Sequence, residues 1–198
     1  MRPRIESIEG HKIFFYDVVD STMDIAHALA QDGERGYVVA ATQRAGRGTG
    51  ARRWLSPVGG LYTTAIFDYN PDNEMTDDLA DGAILALIAT FQAFDLDRCQ
   101  IKPPNDVYLD DRKIAGVLQH IMPYGHLIGI GANLNNESKD VGVFAISYKD
   151  AMDQTVDLDA FLATFIRNAE TLRRDYASQK ESLTEQWKNL LTDPTYCD

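Results

Sequence analysis

The sequence predicts an α+β fold: a mainly antiparallel β-sheet flanked by helices, with the helices gathered on one side. Three observations carry it. Short β-rich runs recur along the chain; residues 101–134 read as a meander broken at Pro103-Pro104, Asp110-Asp111 and Pro123-Tyr124-Gly125; and two long apolar or amphipathic helical patterns stand before and after that meander. No internal repeat, low-complexity tract or linker divides the 198 residues, so residues 1–198 are expected to form a single domain.

The first strand is expected over Lys12–Val19, a mostly apolar β-rich run after the turn residue Gly10. Asp20, Ser21 and Thr22 then offer N-cap oxygens to a helix whose Met23, Ala26, Leu29 and Ala30 recur at helical spacing until Gly33. A second strand, Gly36–Thr42, runs into Gln43–Trp54, where glycine and arginine alternate and no amphipathic period survives, so that segment reads as a loop. Gly59 and Gly60 precede a third strand, Leu61–Phe67. Thr76 caps a helix reaching Phe94 that is apolar almost all round and therefore must be buried. Within the meander, Val107–Leu109, Ile114–Ile121 and His126–Leu134 should pair antiparallel. Asp157 caps an amphipathic helix through Tyr176, and a separate last helix is expected over Ser182–Leu191.

Nineteen Lys+Arg against thirty Asp+Glu give a net charge of -11, which repels polyanions and argues against nucleic acid or anionic lipid as the main partner. The acidic run Asp68, Asp72, Glu74, Asp77, Asp78 and Asp81 reads as a solvated approach to a helix start and is assigned no function. Cys99 and Cys197 make neither a disulfide framework nor a zinc motif, so a reducing cytoplasm is the expected setting. Met1–Lys12 carries charge with no apolar h-region, and no run approaches the roughly 20 apolar residues that span a bilayer.

The loop Gln43-Arg44-Ala45-Gly46-Arg47-Gly48-Thr49-Gly50-Ala51-Arg52-Arg53-Trp54 is the most informative stretch. Its glycines let backbone N–H groups approach a ligand, its arginines present forks to carboxylate or phosphate oxygens, and Trp54 offers a face to a purine. Taken alone, it fits equally well an exposed basic loop with a tryptophan tucked into the core. It matches neither a P-loop nor a dinucleotide fingerprint. Lys102-Pro103-Pro104-Asn105-Asp106 places a lysine on a stiff, extended backbone, suited to an α-phosphate contact or simply to a surface turn. Arg112-Lys113-Ile114-Ala115-Gly116 follows closely. Gly129 to Asn136 is a glycine-rich strand ending in amides; Asn133 could read an adenine edge, although a strand packed tightly on a helix also needs glycines.

In this order the motifs resemble the biotin protein ligase family, whose members show Asp-Ser-Thr, then Q-x-A-G-R-G-R-x-x-R-x-W-x-S-P-x-G-G-L, K-W-P-N-D, R-K-(L/I)-A-G and G-(I/V)-G-x-N-x-N. The chain has Asp20-Ser21-Thr22, Gln43–Leu61, Lys102–Asp106, Arg112–Gly116 and Gly129–Asn135, and the resemblance covers roughly residues 12–191. It implies a class II synthetase-like fold and an ATP-dependent ligase. Such an enzyme converts biotin to biotinyl-5'-AMP and passes it to a lysine of a biotin carboxyl carrier domain. It also implies roles. Ser21, Thr22, Met23 and Gln43 would line the ureido head of biotin, with Gly46, Arg47, Gly48 and Thr49 along its valerate chain and the adenylate phosphate. Gly116 would leave room for the ligand. Arg52, Trp54, Asn105, Lys113 and Asn133 would hold the nucleotide. Lys102 and Arg47 would neutralise charge at the reacting phosphate, and magnesium would accompany ATP without a tight protein site. Pairing of two copies through a sheet edge is also implied. The rival readings are a ligase for lipoate or octanoate, and a weakened homologue that only binds biotin.

The chain departs from the family pattern at Pro103, which replaces its tryptophan, and at Thr49, where relatives carry arginine. The missing guanidinium predicts a looser lid that releases the reactive intermediate more readily. Neither a helix-turn-helix domain ahead of Lys12 nor the small β-barrel that follows the family's catalytic domain is expected.

Overall fold

The computed structural model describes residues 2–68 and 79–192. Eight strands form one sheet: β1 (Arg4–Ile8), β2 (His11–Val19), β3 (Gly36–Gln43), β4 (Leu61–Phe67), β5 (Cys99–Lys102), β6 (Asp106–Leu109), β7 (Arg112–Met122) and β8 (Gly125–Ala132). Their order is β1-β2-β3-β4-β8-β7-β6-β5. Every neighbouring pair is antiparallel except β2 with β3, which run parallel because helix α1 (Thr22–Gln31) carries the chain back between them. The meander expected after residue 101 is the antiparallel ribbon β5-β6-β7-β8.

The other α-helices among the described residues are α2 (Leu79–Ala93), a short α3 (Tyr148–Met152) and α4 (Leu158–Leu190). Ser21 caps α1, its Oγ accepting from the Met23 N–H at 3.3 Å, and Asp157 caps α4 by accepting from Asp159 and Ala160 N–H at 2.9 and 3.1 Å. The cap expected at Thr76 and most of the acidic run lie outside the described residues.

Helices cover both faces of the sheet, not one as the sequence suggested. Strand alternation supplies the reason: Tyr37 and Val39, Ala65, and Ile128 and Ile130 face α2 and α4, while the adjacent Val38, Ile66 and Leu127 meet Met23, Ala26 and Ala30 of α1. A sheet with two apolar faces needs cover on both. The α2–α4 layer is the thicker; Phe91 packs edge-on to Phe161, and Asn168 Nδ2 donates to the buried Thr90 Oγ1 at 3.1 Å. Here Cys99 is buried, and burial pushes its thiol up to about 12, so at neutral pH it is a small core side chain and not a nucleophile.

The two C-terminal helices expected from the sequence are one 33-residue helix. Ala177-Ser178-Gln179-Lys180-Glu181 contains neither glycine nor proline, so nothing ends the first helical run. Leu183 and Trp187 then continue onto the same core that Phe165 enters. No helix among the described residues is long and apolar enough to cross a membrane.

Candidate active site

The loop after β3 folds back on itself as a small flap. Gly48 N–H donates to Arg52 O and Trp54 N–H to Gly46 O, both at 2.9 Å, and Arg47 opposes Arg53 as an antiparallel bridge. A Cβ on Gly46 would lie 2.5 Å from the Trp54 carbonyl oxygen, so this glycine is required by the flap's own closure.

Beneath the flap is a cavity of about 110 Å³, several times the roughly 10–15 Å³ that one water needs. Of the residues singled out from the sequence, Ser21, Thr22, Met23 and Gln43 line one end. Arg47, Gly48, Thr49, Arg52 and Trp54 line the flap side, and Asn105, Lys113 and Gly116 the far wall. Gly46, Lys102 and Asn133 do not line it. Lys102 stands one strand away on β5, its Nζ 5.0 Å from the Tyr108 ring centre. Asn133, just past β8, is 2% exposed, and its Oδ1 has no hydrogen-bond partner among the described residues. A larger apolar cavity of about 230 Å³ lies on the opposite face, between the sheet, α2 and α4. It gathers none of the candidate site residues; of the motifs only Ile130 reaches it.

The Ser21 end is a buried polar network. Gln43 Oε1 accepts from the Thr22 N–H at 2.8 Å and from Thr22 Oγ1 at 3.2 Å, while Gln43 Nε2 donates to Ser56 Oγ at 2.8 Å. Behind it Thr64 Oγ1 donates to Thr22 Oγ1 at 2.9 Å. Ser21 is 1% exposed and uses its oxygen as the α1 cap, which leaves its hydroxyl hydrogen to donate into the cavity. The amide rotamer is therefore fixed before any ligand arrives. Thr64 escaped the sequence reading because its strand position carries no local signal, and Ser56, the serine of the W-x-S-P stretch, was matched but given no role.

The Trp54 indole packs against β8 at Gly131. A Cβ on Gly131 would fall 2.4 Å from Trp54 Cε2, so only glycine allows the indole this close to the sheet. Lys113 Nζ lies 5.1 Å from the Trp54 ring centre and 2.6 Å from Asp106 Oδ1. The room beside Gly116, expected to serve the ligand, is occupied at this point by the Lys113–Asp106 pair: a Cβ there would meet Lys113 Cε at 3.1 Å and Asp106 Oδ1 at 3.2 Å. Thr49 Oγ1 accepts from Asn105 Nδ2 at 3.0 Å, tying the flap to the opposite wall without the family arginine.

Arg47, Arg52, Arg53 and Lys113 give the cavity a basic wall in a protein of net charge -11, an arrangement that favours an anionic ligand there. Arg47 Nη2 pairs with Asp24 Oδ1 at 2.5 Å. One turn along α1, His27 Nε2 is 3.4 Å from His120 Nδ1 and His27 Nδ1 is 3.2 Å from the Tyr124 hydroxyl. Burial, then the neighbouring His27, then Arg47 hold His120 below its ordinary value of 6.5, against the opposing pull of Asp24. Folding thus disfavours protonated His120. The unfolded chain takes up this proton first, so stability falls as pH drops below about 6.5 and the loss levels off below the lowered folded value. Urea midpoints measured between about pH 8 and about pH 5 should fall less steeply for His120→Gln than for the parent chain. Equal slopes would rule this out.

The family model of the biotin/lipoate A/B protein ligase family matches residues 15–135. The bifunctional ligase/repressor BirA of Bacillus spizizenii is 29% identical over 181 residues, covering 85% of this chain and 56% of that protein. The biotin protein ligase of Aquifex aeolicus, solved in complex with biotin and ATP, superposes with a TM-score of 0.74 at 26% identity, covering 90% of this chain and 78% of that one. The biotin protein ligase of Leishmania major, solved with biotinyl-5-AMP, gives 0.70 at 25% identity, covering 91% of this chain and 81% of that one. The chain spans just over half the length, 56%, of the first of these relatives. With a match over more than half of its residues, and with the flap, the glycine-floored strand and the basic cavity in place, the chain belongs to the biotin/lipoate A/B protein ligase family.

Proposed function

We propose that this chain activates biotin with ATP and passes it to a lysine of a biotin carboxyl carrier domain. The observation that carries the reading is the cavity itself, with a buried polar end fitted to a ureido group and a basic end fitted to a phosphate. The ureido head would lie against Ser21, Thr22 and Gln43, where its polar atoms replace the water they lose. A biotin carboxylate oxygen would attack the α-phosphorus, the bond to the β-phosphate oxygen would break, and pyrophosphate would leave. Arg47 and Lys113, joined by Lys102 once the ligand recruits it, would bear the charge at that centre, Trp54 would stack the adenine, and Arg52 and Asn105 would complete the nucleotide's contacts, with Asn133 buried behind the wall. The acceptor lysine amine would then attack the acyl carbon and expel AMP, so no protein nucleophile is needed.

Magnesium fits as a passenger on ATP. A hard cation of this kind keeps most of its waters, and Asp106, the carboxylate on the cavity wall, already has an oxygen on Lys113. Its part is to balance the charge of the leaving pyrophosphate.

Incubating the purified chain with biotin, ATP, magnesium and an apo carrier domain should shift the carrier's mass by one biotinyl group, with biotin-dependent pyrophosphate release. Acylation by lipoate or octanoate in place of biotin, or biotin binding without turnover, would defeat the proposal. Within it, Thr49→Arg should slow escape of the adenylate and reduce labelling of bystander lysines by about tenfold, since an added arginine–phosphate contact is one of the stronger charged hydrogen bonds. Unchanged escape would show that the Asn105–Thr49 contact already closes the flap.

A further inference from the structure

The Arg47–Asp24 ion pair has no part in the chemistry set out above. We propose that Asp24 gates the cavity: it holds the Arg47 guanidinium at the mouth, and the anionic end of the ligand must displace Asp24 to obtain it. The proposal rests on reading the cavity as the biotin and adenylate site.

Arg47 lines the cavity and Asp24 does not, so the pair draws the guanidinium toward the rim. Arg47 stands between Gly46 and Gly48, at the base of a flap whose tip is Gly50, and can swing. Asp24 cannot follow it, because it sits in the first turn of α1, a helix fixed by its Ser21 cap and by Met23 and Ala26 packed on the sheet. The two side chains are 52% and 44% exposed, and exposed pairs of this kind are worth about 0–1 kcal/mol. Such a contact is strong enough to bias the arginine and weak enough to exchange. Neighbouring charges do not replace Asp24: His120, the imidazole near Arg47, is disposed to stay neutral, and Arg44 pairs with Asp20 at 3.5 Å on the far side of the flap's start. Asp106, the carboxylate on the cavity wall, is already held by Lys113, so an anionic ligand meets Asp24 as the fixed negative charge beside Arg47 and shares that arginine with it.

The consequence is an unusual sign. Removing the aspartate charge should strengthen binding. Asp24→Asn is expected to lower the KM for biotin about three- to fivefold, the range set by an exposed ion pair, with kcat within about twofold. Asp24→Glu, which keeps the charge, should behave as the parent. A purely structural role in the first turn of α1 would not lower KM. Limited trypsin digestion supplies an arm independent of turnover: the loop arginines Arg44, Arg47, Arg52 and Arg53 should be cut faster in Asp24→Asn than in the parent or Asp24→Glu, with circular dichroism confirming the fold. An unchanged or raised KM in Asp24→Asn overturns the gate. If the parent chain shows no biotin-dependent turnover, the functional reading fails instead, and the gate is judged on digestion, where equal cleavage rates overturn it.

Discussion

Gly131→Ala should cut biotin-dependent pyrophosphate release by about 100-fold or more while the chain stays folded. The added methyl would stand 2.4 Å from Trp54 Cε2 and 2.6 Å from Nε1, against an ordinary carbon contact of about 3.5–4.0 Å. Something must move by more than about 1 Å. It cannot be the strand, because Gly131 is held on both sides, opposite Tyr62 of β4 and Gly116 of β7, in the centre of the sheet. The indole must move, and with it the flap, since the Trp54 N–H is bound to Gly46 O. A displacement of that size at a stacking platform is enough for a hundredfold loss, whereas the overpacking itself costs about 1–3 kcal/mol of stability. Trp54 and Trp187 are the chain's two tryptophans, so on a Trp187→Phe background the emission of Trp54 reports its departure from the sheet. Full activity with unshifted emission would mean that Trp54 does not carry the nucleotide.

What the sequence disclosed, and what it hid, divides along the range of the interactions. The Ser21 cap, the Asp157 cap and the flap are local, written in residues two to ten apart, and they were legible. Strand β1 was not, because Arg4, Glu6 and Ser7 show no apolar alternation; it exists through pairing with β2 at the sheet edge. Strand β5 was missed because Cys99-Gln100-Ile101-Lys102 offers only two apolar positions before the Pro103-Pro104 break. Periodicity also gives the apolar stripe of α1 but not which sheet face it covers, and that omission produced the one-sided arrangement. Within the site, the motifs held many of the lining residues, though Val117 and Leu118 lie outside them and Gly46, Lys102 and Asn133 do not line the cavity, and the pairings were invisible. Asp24 with Arg47 and Thr49 with Asn105 join segments that meet only after folding. Lys113 with Asp106 spans a short hairpin, yet nothing in the motif marks these two as partners.

Lys102 is the residue on which sequence and geometry differ most, and Lys102→Met is the corresponding test. It should lower the rate of adenylate formation by about 10²–10³-fold, the usual loss when one preorganised donor to a developing anion is removed. Biotin affinity should change by less than about twofold, because Lys102 does not touch the cavity wall. The side chain is nonetheless within reach. Lys102 pairs with Asp106 across the β5–β6 ladder, directly opposed residues share a sheet face, and Asp106 lines the cavity. A four-carbon stem spans the roughly 4.8 Å between strands. Leaving the Tyr108 ring forfeits about 0.5–1 kcal/mol, a small sum beside the attraction of an ammonium for a triphosphate in a partly enclosed site. The ligand would therefore recruit the lysine, which predicts a split: kcat falls and the biotin dissociation constant holds. A loss below tenfold in kcat would leave Arg47 and Lys113 to neutralise the phosphate by themselves, and Lys102 would then be no more than a surface lysine packed on a tyrosine.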